Sequence, residues 1–184
     1  MKNVYLITIL LVFFIFALTP LKVHAEIMSA TTPASTSSTT YKLAYPGMLP
    51  DHPLYKLKLL RDKIMLSLMQ DPIRKAEYYL LLADKQIAMS ALLVDKGNIQ
   101  LAKEIALKGE NQYTAITFLF KDTGTKPSQE FYDRLIGASQ EHQKILRSVA
   151  SKLDADDKKI FETVLEFSTR NADEINKIFN QQSI

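Results

Sequence analysis

The chain has 184 residues, 23 of them Lys or Arg and 20 Asp or Glu, for a formal net charge of +3. It has no cysteine, which excludes disulfides, thiolate nucleophiles and thiolate metal ligands. The near balance of charge gives no electrostatic case for a nucleic-acid partner, and none is expected.

Lys2 precedes Val4 to Leu18, an apolar run interrupted only by Thr8, and Pro20 and Val23-His24-Ala25 follow. A cation, a short apolar stretch and a small-residue end make a secretory signal, with cleavage expected after Ala25. The run is about fifteen residues, shorter than the roughly twenty needed to cross a bilayer as a lasting helix. Residues 1–25 therefore read as a signal peptide and the protein as exported: extracytoplasmic, secreted or held in the cell envelope. The alternative is an uncleaved N-terminal helix that anchors the chain. Removing the segment takes away Lys2 and Lys22 but no acid, leaving a net charge of +1.

Nine of the twelve residues from Ser29 to Thr40 are Ser or Thr. Such a tract offers no apolar area against its ordering entropy, so 26–44 is expected to be a disordered spacer before a helical domain over 45–184. Tyr41 to Pro53 differs in character: Pro46-Gly47 marks a turn, and Pro50 and Pro53 keep the backbone extended. Tyr45, Met48 and Leu49 are apolar enough to pin this strap onto the domain.

Every strong signal beyond the strap is helical. The first predicted helix, 53–69, carries Leu57, Leu60, Ile64 and Leu68 on one stripe expected to face the core. Asp71-Pro72 should cap and open a second helix reaching residue 95. Its apolar positions, Ile73, Ala76, Leu80, Ala83, Ile87 and Val94, are widened by Tyr78, Leu81, Met89 and Leu92. Gly97 suits a left-handed C-cap and Asn98 an N-cap, so the third helix, 99–121, turns back antiparallel. Gly109 lies on its inward stripe, where a close helix crossing would explain it. A loop over 122–127 leads to a C-terminal helical pair within 127–180, of which the first is buried through Phe131, Leu135, Ala138, Ile145 and Val149. Asp154 and Asp157 fit the start of the last helix, with Phe161, Val164, Ser168, Ile175 and Phe179 inward. The expected class is all-α, an antiparallel bundle of four to five helices.

Certain residues in 45–113 carry a resemblance: Pro46-Gly47, Leu49-Pro50, Pro53-Leu54-Tyr55-Lys56-Leu57-Lys58, Arg61-Asp62-Lys63, Asp71-Pro72, Lys75-Ala76-Glu77, Leu82-Ala83-Asp84 and Lys96-Gly97-Asn98. This stretch resembles the bacterial family called domain of unknown function 5667. In that family Glu is usual where Asp62 stands, and Ile87-Ala88-Met89 departs from the pattern. The resemblance implies an exported or membrane-attached helical protein and transfers no catalytic residue.

Lys56, Lys58, Arg61 and Lys63 crowd one helix with only Asp62 against them. Two readings fit: an interaction surface for anionic lipid or an acidic wall polymer, or a solvated face whose lysine stems cover the bundle edge. Arg61 or Lys63 could also hold a carboxylate of the second helix, such as Glu77 or Asp84. His142 falls on the apolar stripe of the fourth helix and reads as a core-edge histidine, because His52 is the only other histidine after the signal. Asn171 is either a buried amide that fixes register or a boundary residue. No Glu-x-x-His pair, Gly-x-Ser-x-Gly elbow or phosphate-cradling glycine loop occurs. No catalytic, cofactor or metal residue is therefore expected. The reading is a non-enzymatic module that binds a protein or envelope component, membrane-surface contact included. The rival is a bundle that carries or senses a small apolar ligand.

Overall fold

A computed structural model describes residues 41–181. The expected signal peptide, its cleavage after Ala25 and the Ser/Thr tract to Thr40 lie outside the described residues. Five helices follow in order: α1 (Tyr55–Leu68), α2 (Pro72–Asp95), α3 (Ile99–Thr123), α4 (Gln129–Ala150) and α5 (Ala155–Gln181). The described residues form an all-α antiparallel bundle.

The junctions are written in local chemistry. Asp71 accepts from the backbone N–H of Ile73 at 2.8 Å and of Arg74 at 3.2 Å, and Pro72 opens α2 where no donor is needed. At its far end Gly97 has φ +78°, Gly97 N–H donates to Val94 O and Asn98 N–H to Leu93 O. That is a Schellman turn, in which glycine carries the left-handed residue. Asn98 stands at the N-cap of α3 without a capping side-chain bond. Ser128 caps α4 through Phe131 N–H, and Asp154 Oδ1 accepts from the amides of Asp156 and Asp157 at the start of α5.

The core of α2–α5 is layered. Tracing the chain, α2 contributes Ala76, Leu80 and Ala83 to one apolar cluster, then Ile87, Met89 and Leu93 to a second. Helix α3 meets them in reverse order: Ala102, Ile105 and Ala106 in the second cluster, then Tyr113, Ile116 and Phe120 in the first. The alternation repeats through Phe131, Leu135, Ala138 then Leu146, Val149 on α4, and Phe161, Val164 then Ile175, Ile178 on α5. Each helix thus runs opposite to the one before it. The packed neighbours are α2 with α3, α3 with α5, α5 with α4 and α4 with α2, a square in which the 124–128 link crosses a diagonal. Gly109 permits a close approach of α3 to α2: a methyl there would lie 3.0 Å from Ile87 Cδ1 and 3.3 Å from Ala83 O.

Two features depart from the sequence expectation. The α1 stripe faces out: Leu57, Leu60, Ile64 and Leu68 are exposed, at 63%, 54%, 48% and 71%. Tyr55 and Asp62, on the opposite side, are the buried residues of this helix. The strap is also held differently. Tyr45 points to solvent at 81% exposure, whereas Tyr41, Leu43, Met48 and Leu49 pack on the bundle, so packing includes residues 41 and 43, which the sequence reading assigned to the spacer. On α2, Leu81 and Leu92 are likewise exposed, while Met89 is fully buried.

Candidate functional site

Between the two apolar clusters lies a layer of charge. Asp84 of α2, Glu110 of α3 and His142 of α4 are all buried, the last two completely. The imidazole bridges the carboxylates, with Nε2 3.0 Å from Asp84 Oδ1 and Nδ1 2.9 Å from Glu110 Oε1. With both carboxylates ionised, both ring nitrogens donate and the ring is an imidazolium. Burial opposes that charge, but the hydrogen bonds to Asp84 and Glu110 and their negative charges outweigh it, and the His142 pKa is raised to about 9.

The remaining acceptor positions are also filled. Asn171 Nδ2 of α5 donates to Glu110 Oε2 at 3.2 Å, and Thr114 Oγ1 donates to Asn171 Oδ1 at 3.0 Å. The Tyr41 hydroxyl donates to Asp84 Oδ2 at 2.7 Å, and the amide of Ala44 approaches the same oxygen at 3.4 Å. Burial, then the Asp84 charge, pushes the Tyr41 phenol far above its ordinary value, so it stays a donor. Gly137 makes room for it, since a methyl there would meet Tyr41 Cβ at 3.2 Å. The strap and all four bundle helices therefore meet in one network. Both imidazole nitrogens are engaged, and among the described residues no group of three or more His, Asp or Glu is arranged to hold a metal ion.

The second feature is α1 itself. Two contacts hold it: Tyr55 packs in the core cluster, and Asp62 Oδ1 accepts from Tyr78 Oη of α2 at 2.9 Å, and also from Arg61 Nη2 of α1 itself at 2.6 Å. Asp62 is the one acid of the helix and is turned inward. The outward side shows Leu54, Leu57, Leu60, Ile64, Met65 and Leu68. At 3.6 residues per turn Lys56 and Lys63 fall along one border of this face and Lys58 along the other, while Arg61 projects from within it, between Leu68 and Met65. Met48 of the strap extends it, closing a shallow apolar trough of about 520 Å³ with Leu54, Leu57 and Met65. The Lys58 ammonium lies 5.3 Å from the Tyr55 ring centroid, and burial, partly opposed by Asp62, lowers its pKa. The hydrogen bond from Arg61 to Asp62 raises that of the guanidinium.

The structure thus keeps Lys56, Lys58, Arg61 and Lys63 together, around an apolar face rather than opposite one. Neither Glu77 nor Asp84 pairs with them. Arg61 takes its neighbour Asp62, Glu77 pairs with Arg134 of α4 at 3.0 Å, and Asp84 is committed to His142 and Tyr41. His142 is a core-centre residue, not a core-edge one, and its partners are carboxylates rather than a second histidine. Asn171 is buried and tied to Glu110. Glu110 was the residue hardest to see. The available signal was its place on a buried stripe, between Ala106 and Tyr113.

The fold and the site define a four-helix bundle with a central charged layer and an external amphipathic helix. No curated protein and no solved structure matches the chain. The family described as Domain of unknown function (DUF5667) matches residues 47–183, about three quarters of the chain, and the chain belongs to it. The match runs past residue 113, where the motif resemblance ends, and takes in α4 and α5. Those two helices carry few of the Pro and Gly junctions that make a motif visible, yet half of the bundle square is theirs.

Proposed function

We propose that the domain is a non-enzymatic, extracytoplasmic interaction module of the cell envelope, and that α1 is its contact surface. One observation carries this: six large apolar side chains stand in solvent on a single helix face, at positions 54, 57, 60, 64, 65 and 68. A lone exposed leucine is ordinary, but a contiguous apolar face rimmed by charge marks an interaction site. The rest of the domain supports the same reading. Its buried charges satisfy one another, and the imidazole that could act as an acid or base is closed off from any substrate. The export signal read from residues 1–25 supplies the address.

The test is site-specific photocrosslinking in the producing cells, with a photoreactive residue at Leu60 or, as control, at the exposed Thr163 of α5. Crosslinks to an envelope component from position 60 and none from 163 are the expected result. Equal yields from both positions, or none from position 60, would remove α1 as the contact. Recovery of the products in the cytosolic fraction would remove the envelope setting. The apolar trough beside Met48 favours a second reading, a carrier of a small apolar ligand. Native mass spectrometry of the freshly purified chain tests it, and a ligand-free mass counts against it.

A further inference from the structure

We infer that α1 lies in the plane of an anionic lipid surface, its apolar face sunk among the headgroups and Lys56, Lys58, Arg61 and Lys63 at the phosphate level. The inference rests on the reading of α1 as the contact surface and names what it contacts.

The charge pattern selects among the candidates. The outer part of α1 carries four cations, and its single acid, Asp62, is turned inward against Tyr78 and answers only Arg61. A second copy docked face to face would bring six cations, Lys56, Lys58 and Lys63 of each, around one apolar seam with no further carboxylate from either α1 to answer them, and like charges at close range oppose association. An acidic wall polymer would answer the cations and leave six apolar side chains in water. An anionic bilayer answers both parts, because an interfacial helix buries its apolar side to the acyl boundary while basic residues on its flanks meet the headgroups. Lys56 and Lys63 stand on one border of the face and Lys58 on the other, as a helix lying flat requires, and Arg61, rising from within the face, reaches the same level along its long stem. The stripe is also too short for anything else: α1 has 14 residues, against the roughly twenty that span a bilayer, and no described helix is long and apolar enough to cross a membrane. The trough closed by Met48 continues the apolar face onto the strap, giving a surface wider than one helix.

The chain contains no cysteine, so single-cysteine variants take one label each. The full chain is labelled with a polarity-sensitive fluorophore at Leu57→Cys, Leu60→Cys or Ile64→Cys, with Thr163→Cys as the remote control. It is then mixed with phosphatidylcholine vesicles with or without phosphatidylglycerol. The apolar N-terminal run is flanked by Lys2 and Lys22 and so itself favours phosphatidylglycerol; shielding confined to positions 57, 60 and 64, and its loss in the α1 lysine variants, is what assigns the contact to the folded domain. The expected result is a blue shift and loss of acrylamide quenching at positions 57, 60 and 64 on anionic vesicles only, with position 163 unchanged. Lys56→Gln with Lys63→Gln should lower the ratio of inserted to free α1 about 25-fold, about fivefold for each charge. These variants alter exposed residues, and circular dichroism of each checks that the bundle is intact.

Labels as accessible on anionic vesicles as in buffer would overturn the inference, and so would equal shielding on neutral vesicles. Shielding without vesicles would also overturn it: loss on dilution would assign the face to a second copy, and persistence on dilution to the chain's own N-terminal segment. Labels wet on vesicles but shielded in native envelope fractions would sink the lipid inference and leave the interaction-module reading standing. Labels wet in both would sink both.

Discussion

The α1 helix and the centre of the α2–α5 bundle invert the usual distribution of side chains in opposite directions. In α1 leucines face water and the only carboxylate is buried; in the bundle centre two carboxylates and an imidazolium occupy positions where leucine would pack. The difference lies in what each arrangement leaves unanswered. Every charge in the bundle centre has its partner within the chain, through Tyr41, Asn171 and the Asp84–His142–Glu110 bridge. The apolar face of α1 has none within the described residues. A satisfied buried network specifies a structure by fixing register between helices. An unsatisfied surface points outside the molecule.

Two measurements bear on the inner half of that contrast. Replacing His142 by Leu strands Asp84 and Glu110 as facing buried charges, and removing one partner of a buried ionic set costs roughly 3–5 kcal/mol. Thermal unfolding should shift down by about 10 °C or more, at a few degrees for each kcal/mol in a domain of this size. Replacing Asp84, Glu110 and His142 together by Leu should recover a large share, because the desolvation cost goes with the charges. A triple variant no more stable than the single one would show the layer to be stabilising in its own right. The pH dependence gives an effect of the next size. The folded pKa of His142, about 9, lies above the ordinary 6.5. Its contribution is therefore complete below about pH 6.5 and is lost as pH rises through about 9. The loss is on the order of 3 kcal/mol. Chemical denaturation from pH 6 to pH 10 should show that decline, and His142→Leu should flatten it.

How much of this the chain displays before folding depends on whether the deciding contact is local. The junctions are local, so Asp71-Pro72, Gly97 and Asp154 could be placed from their neighbours alone. The antiparallel order follows from apolar stripes separated by such short links. The direction of α1 is not local. Leu57, Leu60, Ile64 and Leu68 have the same spacing as a core stripe, and the helix is turned the other way by Tyr55 in the core cluster and by the tie from Asp62 to Tyr78, sixteen residues away. The charged layer lies between these cases. Asp84 is spaced three and four residues from Ile87 and Leu80, and Glu110 likewise from Tyr113 and Ala106, so each stands on a buried stripe. Two acids on inward stripes with one inward histidine have a partner requirement that periodicity alone does not express. Tyr41 was beyond reach for a different reason: it follows a Ser/Thr tract, and its bond to Asp84 spans 43 residues.

The strap sharpens the comparison because it joins both regions. Tyr41→Phe removes the hydroxyl from Asp84 Oδ2 and leaves that oxygen the weaker 3.4 Å contact with Ala44 N–H. A hydrogen bond to a charged group is worth about 1.5–3 kcal/mol, and the loss should fall in that range. Hydrogen exchange at Ala44 should accelerate with it. An unchanged Ala44 amide would show the strap to be held by Leu43, Met48 and Leu49 alone.

The smallest expected effect separates the two regions most cleanly. Leu60→Ser on α1 should change the unfolding free energy by no more than about 0.5 kcal/mol, because the side chain is more than half exposed and leaves no cavity. Leu135→Ala in the core, fully buried, should cost about 2–5 kcal/mol by the loss of burial and the void it opens. Urea denaturation of the two variants under one buffer gives both numbers. A Leu60→Ser loss near that of Leu135→Ala would mean that the α1 face is covered in the free protein, and that its apolar stripe is core after all. A negligible loss leaves those leucines without a role in folding, and a helix face of large apolar residues with no folding role is there to be covered by something else.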